Sequence, residues 1–292
     1  MKIRVVTNAA ADLPEEILKE HNIAKIPHVV YFDDKEWKLD VDISTNDFYE
    51  LLRTQKIIPP TSNPEPLDFR DVFESSFEEE GYDHIFCVTA AKVLGSSTYS
   101  AARMAAKQFK NKITLIDTES TSGVQGLIAL NIMELAEKGK TVEQITQIIE
   151  NLKKESYLIG GFHTLDNIYK SGRLESKFVL YLTKFLKIKP IVKMVPPGTL
   201  ESRFPGLFLK RTIITRLKKM AYKDLERDLE YDMIVSHVEN PKAANKIISE
   251  IKKKIKIKKC LITFAAPVVG THTGWGTVLV SLLPSIEKEH AK

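Results

Sequence analysis

Three hydroxyl side chains in a row, Ser96, Ser97 and Thr98, follow Gly95 between an apolar run over 85–89 and a helix-forming run over 100–106. The pattern predicts a strand, a turn and a helix, with the hydroxyls where the helix begins. Unpaired backbone N–H groups and the positive end of the helix dipole gather there, and glycine lets the backbone approach a ligand closely, so an anion is a natural guest. A plainer reading, that one hydroxyl caps the helix, stands beside it. A second pair, Thr61 and Ser62, lies in a stretch with four prolines over 59–66, which excludes regular structure and leaves the pair exposed on a stiff loop. The pair either caps the helix starting near Leu67 or is aimed at a site. The third candidate, His272, stands between two threonines in a loop with Gly270, Gly274 and Gly276. There a neutral imidazole donates one hydrogen bond and an imidazolium pairs with an anion.

Other chemistries find less support. A Ser-His hydrolase would pair Ser96 or Ser97 with His272, but the chain has no G-x-S-x-G elbow and no evident orienting carboxylate. Gly139-Lys140-Thr141 resembles the end of a phosphate-binding loop, yet Glu134 stands where the first glycine belongs; Thr141 reads better as a helix cap. No G-x-G-x-x-G fingerprint occurs. Cys87 and Cys260 each sit inside an apolar run, as buried free thiols rather than metal ligands or a disulfide pair. A binding protein without cofactor or metal is therefore expected, rather than an enzyme. The net charge of +5, from 43 basic and 38 acidic residues, is too mild and mixed to imply nucleic acid, although it is compatible with transient contact with an anionic membrane. The lysine-rich run over 252–259 reads as a solvated helix end and strand edge, with docking to an anionic membrane or an acidic partner as the second reading.

The elements that must position these residues alternate as in an α/β protein. With 292 residues the chain exceeds one ordinary core, so two domains are expected, 1–156 and 157–292, with a ligand site between them. Strands over 3–7, 26–32, 85–89 and 112–116 alternate with helices, which implies parallel pairing and crossover helices in the first domain. Asp12 is expected to cap the first helix, and a return strand is expected over 37–41. Ligands collect beyond the carboxyl ends of such strands, which would bring Asn8, residues 91–98 and Asp117 to one edge. Later segments, a strand over 157–162, a helix over 163–173 ended by Gly172, an apolar helix through Phe178 and Leu186, and a hairpin around Pro197-Gly198, are too closely spaced for a purely parallel sheet. A mixed sheet is expected there. The N-terminus enters a strand without a signal-peptide pattern and no run reaches membrane-spanning length, so a cytoplasmic protein is expected.

Taken together, the motifs resemble the DegV family. They are Val6-Thr7-Asn8 with Ala11-Asp12-Leu13-Pro14, Pro60-Thr61-Ser62-Asn63-Pro64, Gly95-Ser96-Ser97, Thr164-Leu165 with Gly172-Arg173, Ile188-Lys189-Pro190-Ile191 and Gly270-Thr271-His272-Thr273-Gly274. They run in the family's order over nearly the whole chain. The resemblance implies a two-domain protein that binds one long-chain fatty acid and presents it to a dihydroxyacetone-kinase-like fatty acid kinase. It places Thr61, Ser62, Ser96 or Ser97, and His272 on the carboxylate, and Arg173 near the pocket mouth and partner surface. The chain departs from the family pattern at Asn8, where Asp is usual, and at Leu94-Gly95-Ser96-Ser97, where Leu-Ser-Gly-Thr is usual. It departs again at His163, at Trp275 and near Leu207, the last where the family carries a basic residue.

Overall fold

The structure is a computed structural model describing residues 1–32, 35–55, 59–94, 96–170, 189–203 and 212–286. In chain order, β1 (Ile3–Asn8), α1 (Glu15–Glu20), β2 (Ile23–Ile26), β3 (Val29–Phe32), β4 (Lys35–Lys38), α2 (Thr45–Gln55), β5 (Thr61–Ser62) and α3 (Pro66–Glu78) come first. They are followed by β6 (His84–Thr89), α4 (Ser96–Ala106), β7 (Ile113–Asp117), α5 (Ser122–Glu137) and α6 (Val142–Leu152). The second half holds β8 (Tyr157–Gly161), α7 (Asp166–Lys170), β9 (Ile191–Val195), β10 (Thr199–Arg203), α8 (Ile213–Asp224) and β11 (Glu230–His237). It ends with α9 (Pro241–Ile251), β12 (Lys256–Phe264), α10 (Pro267–Thr273) and β13 (Val278–Pro284).

The first half forms a four-stranded parallel sheet in the order β2-β1-β6-β7. Every residue of β6 is buried, as expected of a central strand covered on both faces. The chain leaves β1 to one side and β6 to the other, so the crevice at their carboxyl ends is a topological switch point. The second half forms a six-stranded sheet, β10-β9-β8-β13-β11-β12, in which only β11 and β12 are parallel. The architecture is therefore α/β with a parallel and a mixed sheet.

Helix α5 joins the two. Twelve of its sixteen residues are buried, so it must be covered on more than one side. Its glycines show how: a β-carbon on Gly126 would stand 2.5 Å from the Ala11 carbonyl oxygen, and one on Gly123 would stand 2.7 Å from Ile234 of β11 and Ser281 of β13. The helix backbone thus lies directly on the turn after β1 and on the mixed sheet.

Several sequence expectations are corrected. Residues 26–32 are not one strand, because Pro27 interrupts pairing and splits them into β2 and β3. Strand β3 turns away into a separate antiparallel sheet, β4-β3-β5. That sheet includes Thr61 and Ser62, which pair with Val30 and Val29 and are half-buried rather than free on a loop. The return strand lies at Lys35–Lys38 rather than 37–41. Asp12 does not cap α1, which begins after Pro14; its backbone is left-handed (φ 50°), which turns the side chain into the interior. Of the helix expected over 163–173, the described part is Asp166–Lys170; Gly172, Arg173, Phe178 and Leu186 lie outside the described residues, as do Gly95 and Leu207. Cys87 is buried, but Cys260 is exposed on the edge strand β12. Thr141 does cap α6, through a reciprocal pair with Gln144. Among the described residues no helix is long and apolar enough to cross a membrane.

Candidate functional site

At the carboxyl edge of the parallel sheet, the hydroxyls at the start of α4 meet the segment following β5. Asn63 joins them: its Nδ2 donates to Ser97 Oγ at 2.7 Å, and its Oδ1 accepts from Thr98 Oγ1 at 3.1 Å. Helical periodicity divides the three hydroxyls. Ser96 and Ser97 point outward and are exposed, whereas Thr98 is buried and borders a cavity. His272, in the last turn of α10, borders the same cavity. Thr61 and Ser62 stand next to Asn63 on β5 but are not among the residues bordering it. Arg173 lies outside the described residues.

The cavity runs between the switch point and the mixed sheet and has a volume of about 130 Å³. On the scale at which one water needs about 10–15 Å³, that holds roughly ten such groups. Its apolar wall comes from one face of the mixed sheet. In antiparallel pairs directly opposed residues share a face, and the registers put Leu200, Met194 and Leu158 in one row and Val192, Gly160 and Leu279 in the next. The Phe162 ring stands above Gly160, and Ile168, Val268 and Val269 extend the lining. The polar members come from elsewhere: Asn8, His28, Asn63, Thr98 and Thr121 from the edge of the parallel sheet and its neighbouring strands, His272 and Thr273 from α10.

Two buried polar networks hold this edge in place. Gln125 of α5 donates to Asn8 Oδ1 at 2.7 Å and Thr7 Oγ1 at 2.8 Å, and Asn8 Nδ2 lies 2.9 Å from His28 Nε2. Asp12 accepts from Ser122 Oγ at the start of α5 and, at 2.7 Å, from the backbone N–H of Ala266, the residue preceding α10. One carboxylate thus ties the turn after β1 to the helix between the sheets and to the helix carrying His272. Burial pushes the Asp12 carboxyl up to about 6, against the opposing pull of hydrogen bonds from Ser122 and Ala266. Lys153, buried between Glu119 at 3.1 Å and Glu150 at 2.7 Å, also donates to the Asp117 carbonyl and so braces the loop that presents Thr121. Three non-glycine residues at this edge, Asp12, Glu119 and Ser122, have positive φ (50°, 51° and 57°). Such backbone strain persists only where surrounding contacts hold it.

Sequence reasoning brought Asn8, the α4 hydroxyls and His272 to this edge but missed His28, Asn63, Thr121 and Gln125. Asn63 carried one signal, a side chain with both donor and acceptor between the prolines of the Thr61-Ser62 stretch. His28 and Gln125 carried none, since each looks like an ordinary residue beside Pro27 or inside a helix.

The chain matches the family model described as an uncharacterised protein of the DegV family over residues 2–285. A DegV domain-containing protein of Clostridium acetobutylicum is 27% identical over 283 residues, covering 97% of this chain and 99% of the relative. Protein DegV of Bacillus subtilis is 26% identical over 284 residues, covering 95% and 98%. Among solved structures, a DegV family protein of Thermus thermophilus described as fatty acid binding superposes with a TM-score of 0.86 at 22% identity, covering 98% of this chain and all of that one. A stearic-acid-binding protein of Eubacterium ventriosum superposes with a TM-score of 0.83 at 22% identity, covering 97% and 98%. A two-domain fold of this kind, matched by the family model along almost its full length, places the chain in the DegV family.

Proposed function

We propose that this protein binds one long-chain fatty acid, with the carboxylate at the carboxyl edge of the parallel sheet and the tail along the mixed-sheet wall. The observation that carries the reading is the division of the cavity: opposed rows of Leu, Met and Val on one side, and hydroxyl, amide and imidazole groups on the other. Burying roughly ten methylenes at about 0.8 kcal/mol each contributes on the order of 8 kcal/mol before the costs of binding. A bilayer gives the tail the same refuge, so the head group must decide whether the acid leaves the membrane. Charge-assisted hydrogen bonds of about 1.5–3 kcal/mol each suffice for that. In this reading His272, Thr98 and Asn63 meet the carboxylate at the cavity edge, Thr61, Ser62 and either Ser96 or Ser97 reach it from just outside that lining, and Arg173 lies near the pocket mouth. The protein works in the cytoplasm, touches the membrane transiently, and presents the acid to a dihydroxyacetone-kinase-like fatty acid kinase rather than transforming it. The fatty-acid-binding relatives in Thermus thermophilus and Eubacterium ventriosum support the ligand class.

The test is solvent extraction of purified protein followed by mass spectrometry against protein concentration. About one fatty acid per chain is expected, and a folded Thr61→Ala/His272→Ala double variant should lose it. If no acid is extracted, added acids fail to bind, and phosphate raises the melting temperature instead, a small-anion binding protein is the better account.

A further inference from the structure

Two residues that line the cavity, Asn8 and His28, carry atoms whose lone pairs would repel an anionic head group, Asn8 Oδ1 and His28 Nε2. What happens to those lone pairs is set one layer deeper, at Gln125. This residue is fully buried in the first turn of α5, and its Nε2 faces four acceptors. They are Asn8 Oδ1 at 2.7 Å, Thr7 Oγ1 at 2.8 Å, Val88 O at 3.4 Å and Asn8 O at 3.5 Å. The Thr7 hydroxyl has already given its proton to Val88 O at 3.0 Å, so it too offers only lone pairs. Reversing the Gln125 amide would set Oε1 against all four acceptors. The carbonyls at the ends of β1 and β6 therefore fix which way Gln125 points.

That direction propagates. Asn8 Oδ1 receives from Gln125, so Asn8 Nδ2 is the atom that faces His28 Nε2 at 2.9 Å, and it donates. An imidazole nitrogen that accepts carries no proton, which leaves His28 neutral and protonated on Nδ1. We propose that Gln125 is a positioning residue for head-group selectivity, holding His28 through Asn8 in its neutral Nδ1-protonated tautomer. The acceptors of Asn8 and His28 are then engaged inside the protein. A head group that must donate, an alcohol or an amide, competes with Gln125 for Asn8 Oδ1 and finds the His28 Nε2 lone pair occupied, whereas an ionised carboxylate needs neither acceptor. This inference rests on the fatty acid reading for its ligand but not for its tautomer.

The experiment has two parts, chosen so that the two can fail separately. In delipidated protein with 15N-labelled histidine at pH 7, the His28 ring should show a protonated Nδ1 and an unprotonated Nε2. The opposite tautomer, or an imidazolium, overturns the relay. Binding of oleate and of oleyl alcohol is then compared in wild type and in Gln125→Met, which keeps the shape and removes the donor. Wild type should prefer oleate at least tenfold, and the variant should retain less than a threefold preference. Equal loss of both ligands, or unchanged preference, overturns the selectivity role. Should Gln125→Met not fold, Asn8→Asp serves: it keeps the bond from Gln125 but accepts from His28, so the spectrum must show a protonated Nε2, and an unchanged ring overturns the proposal. Wild-type protein that binds neither ligand overturns the fatty acid reading and the selectivity with it, while the tautomer is judged on the ligand-free spectrum.

Discussion

The two sides of the cavity are built by two kinds of sheet, and each supplies what its geometry makes easy. A parallel sheet brings all its strand ends and the starts of its helices to one edge, so polar side chains and unpaired N–H groups collect there without further arrangement. Asn8 at the end of β1, Thr98 in the first turn of α4 and Thr121 before α5 are all products of that geometry. The antiparallel part of the mixed sheet works through its face. Direct opposition across β10, β9, β8 and β13 turns alternate residues into a continuous apolar surface. An edge is made of loops and a face of regular strands, so polar specificity and apolar volume can vary independently, provided the two sheets stay in register with each other. Here α5, the Asp12 carboxylate and α10 provide that registration.

The most damaging way to break the comparison is to unseat α5. Gly126→Val places branched carbon where 2.5 Å separates a β-carbon position from the Ala11 carbonyl, and overpacking of this kind costs about 3 kcal/mol. Urea denaturation should show that loss, with both sides of the cavity impaired together.

A comparable effect, spread over pH, belongs to Asp12. Its carboxyl is raised from 3.8 to about 6, so the folded chain holds this proton more tightly than the unfolded chain does. The group's contribution to stability is therefore full below about pH 4 and is lost as pH rises through 6. The difference of roughly two pH units corresponds to about 3 kcal/mol. Asp12→Asn should flatten this fall between pH 4 and 7, measured as the difference in unfolding free energy between variant and wild type. An unchanged slope would mean that the carboxylate is relieved by some contact other than Ser122 and Ala266.

Sharper discrimination comes from changing the face alone. Met194→Gln puts an amide of similar size into the row between Leu200 and Leu158 and should weaken binding of an acyl chain about tenfold, or 1.4 kcal/mol. Binding of a short acid that occupies only the polar edge should not change. Smallest of all is Lys259→Ala. Its 2.5 Å pair with Glu134 links β12 to the far end of α5, but the lysine is 59% exposed. The change should cost less than about 0.5 kcal/mol by denaturation, which would leave registration of the sheets to the buried contacts.

Local pattern was enough to identify the alternation of elements, the parallel character of the first half, the mixed character of the second, and the hydroxyls at the start of α4. All of these follow from periodicity and from residues that punctuate the chain within a few positions of themselves. The same logic failed at Asp12, where a cap was expected beside Leu13-Pro14 and the side chain instead reaches residues 110 and 254 positions away. It failed again at Cys260, expected to be buried but exposed on β12, although the lysines just before it had marked a strand edge. The hydroxyls themselves were legible as types, but only the helix phase of α4 decided that Thr98 faces the cavity while Ser96 and Ser97 face outward. His28, Asn63 and Gln125 entered the site through long-range pairing: β3 leaving the parallel sheet, β5 pairing with β3, and α5 packing on β1 and β6. Which polar side chains meet, and in which direction each hydrogen bond runs, depends on contacts distant in sequence that close only when the sheets pack, and no window of neighbouring residues contains them.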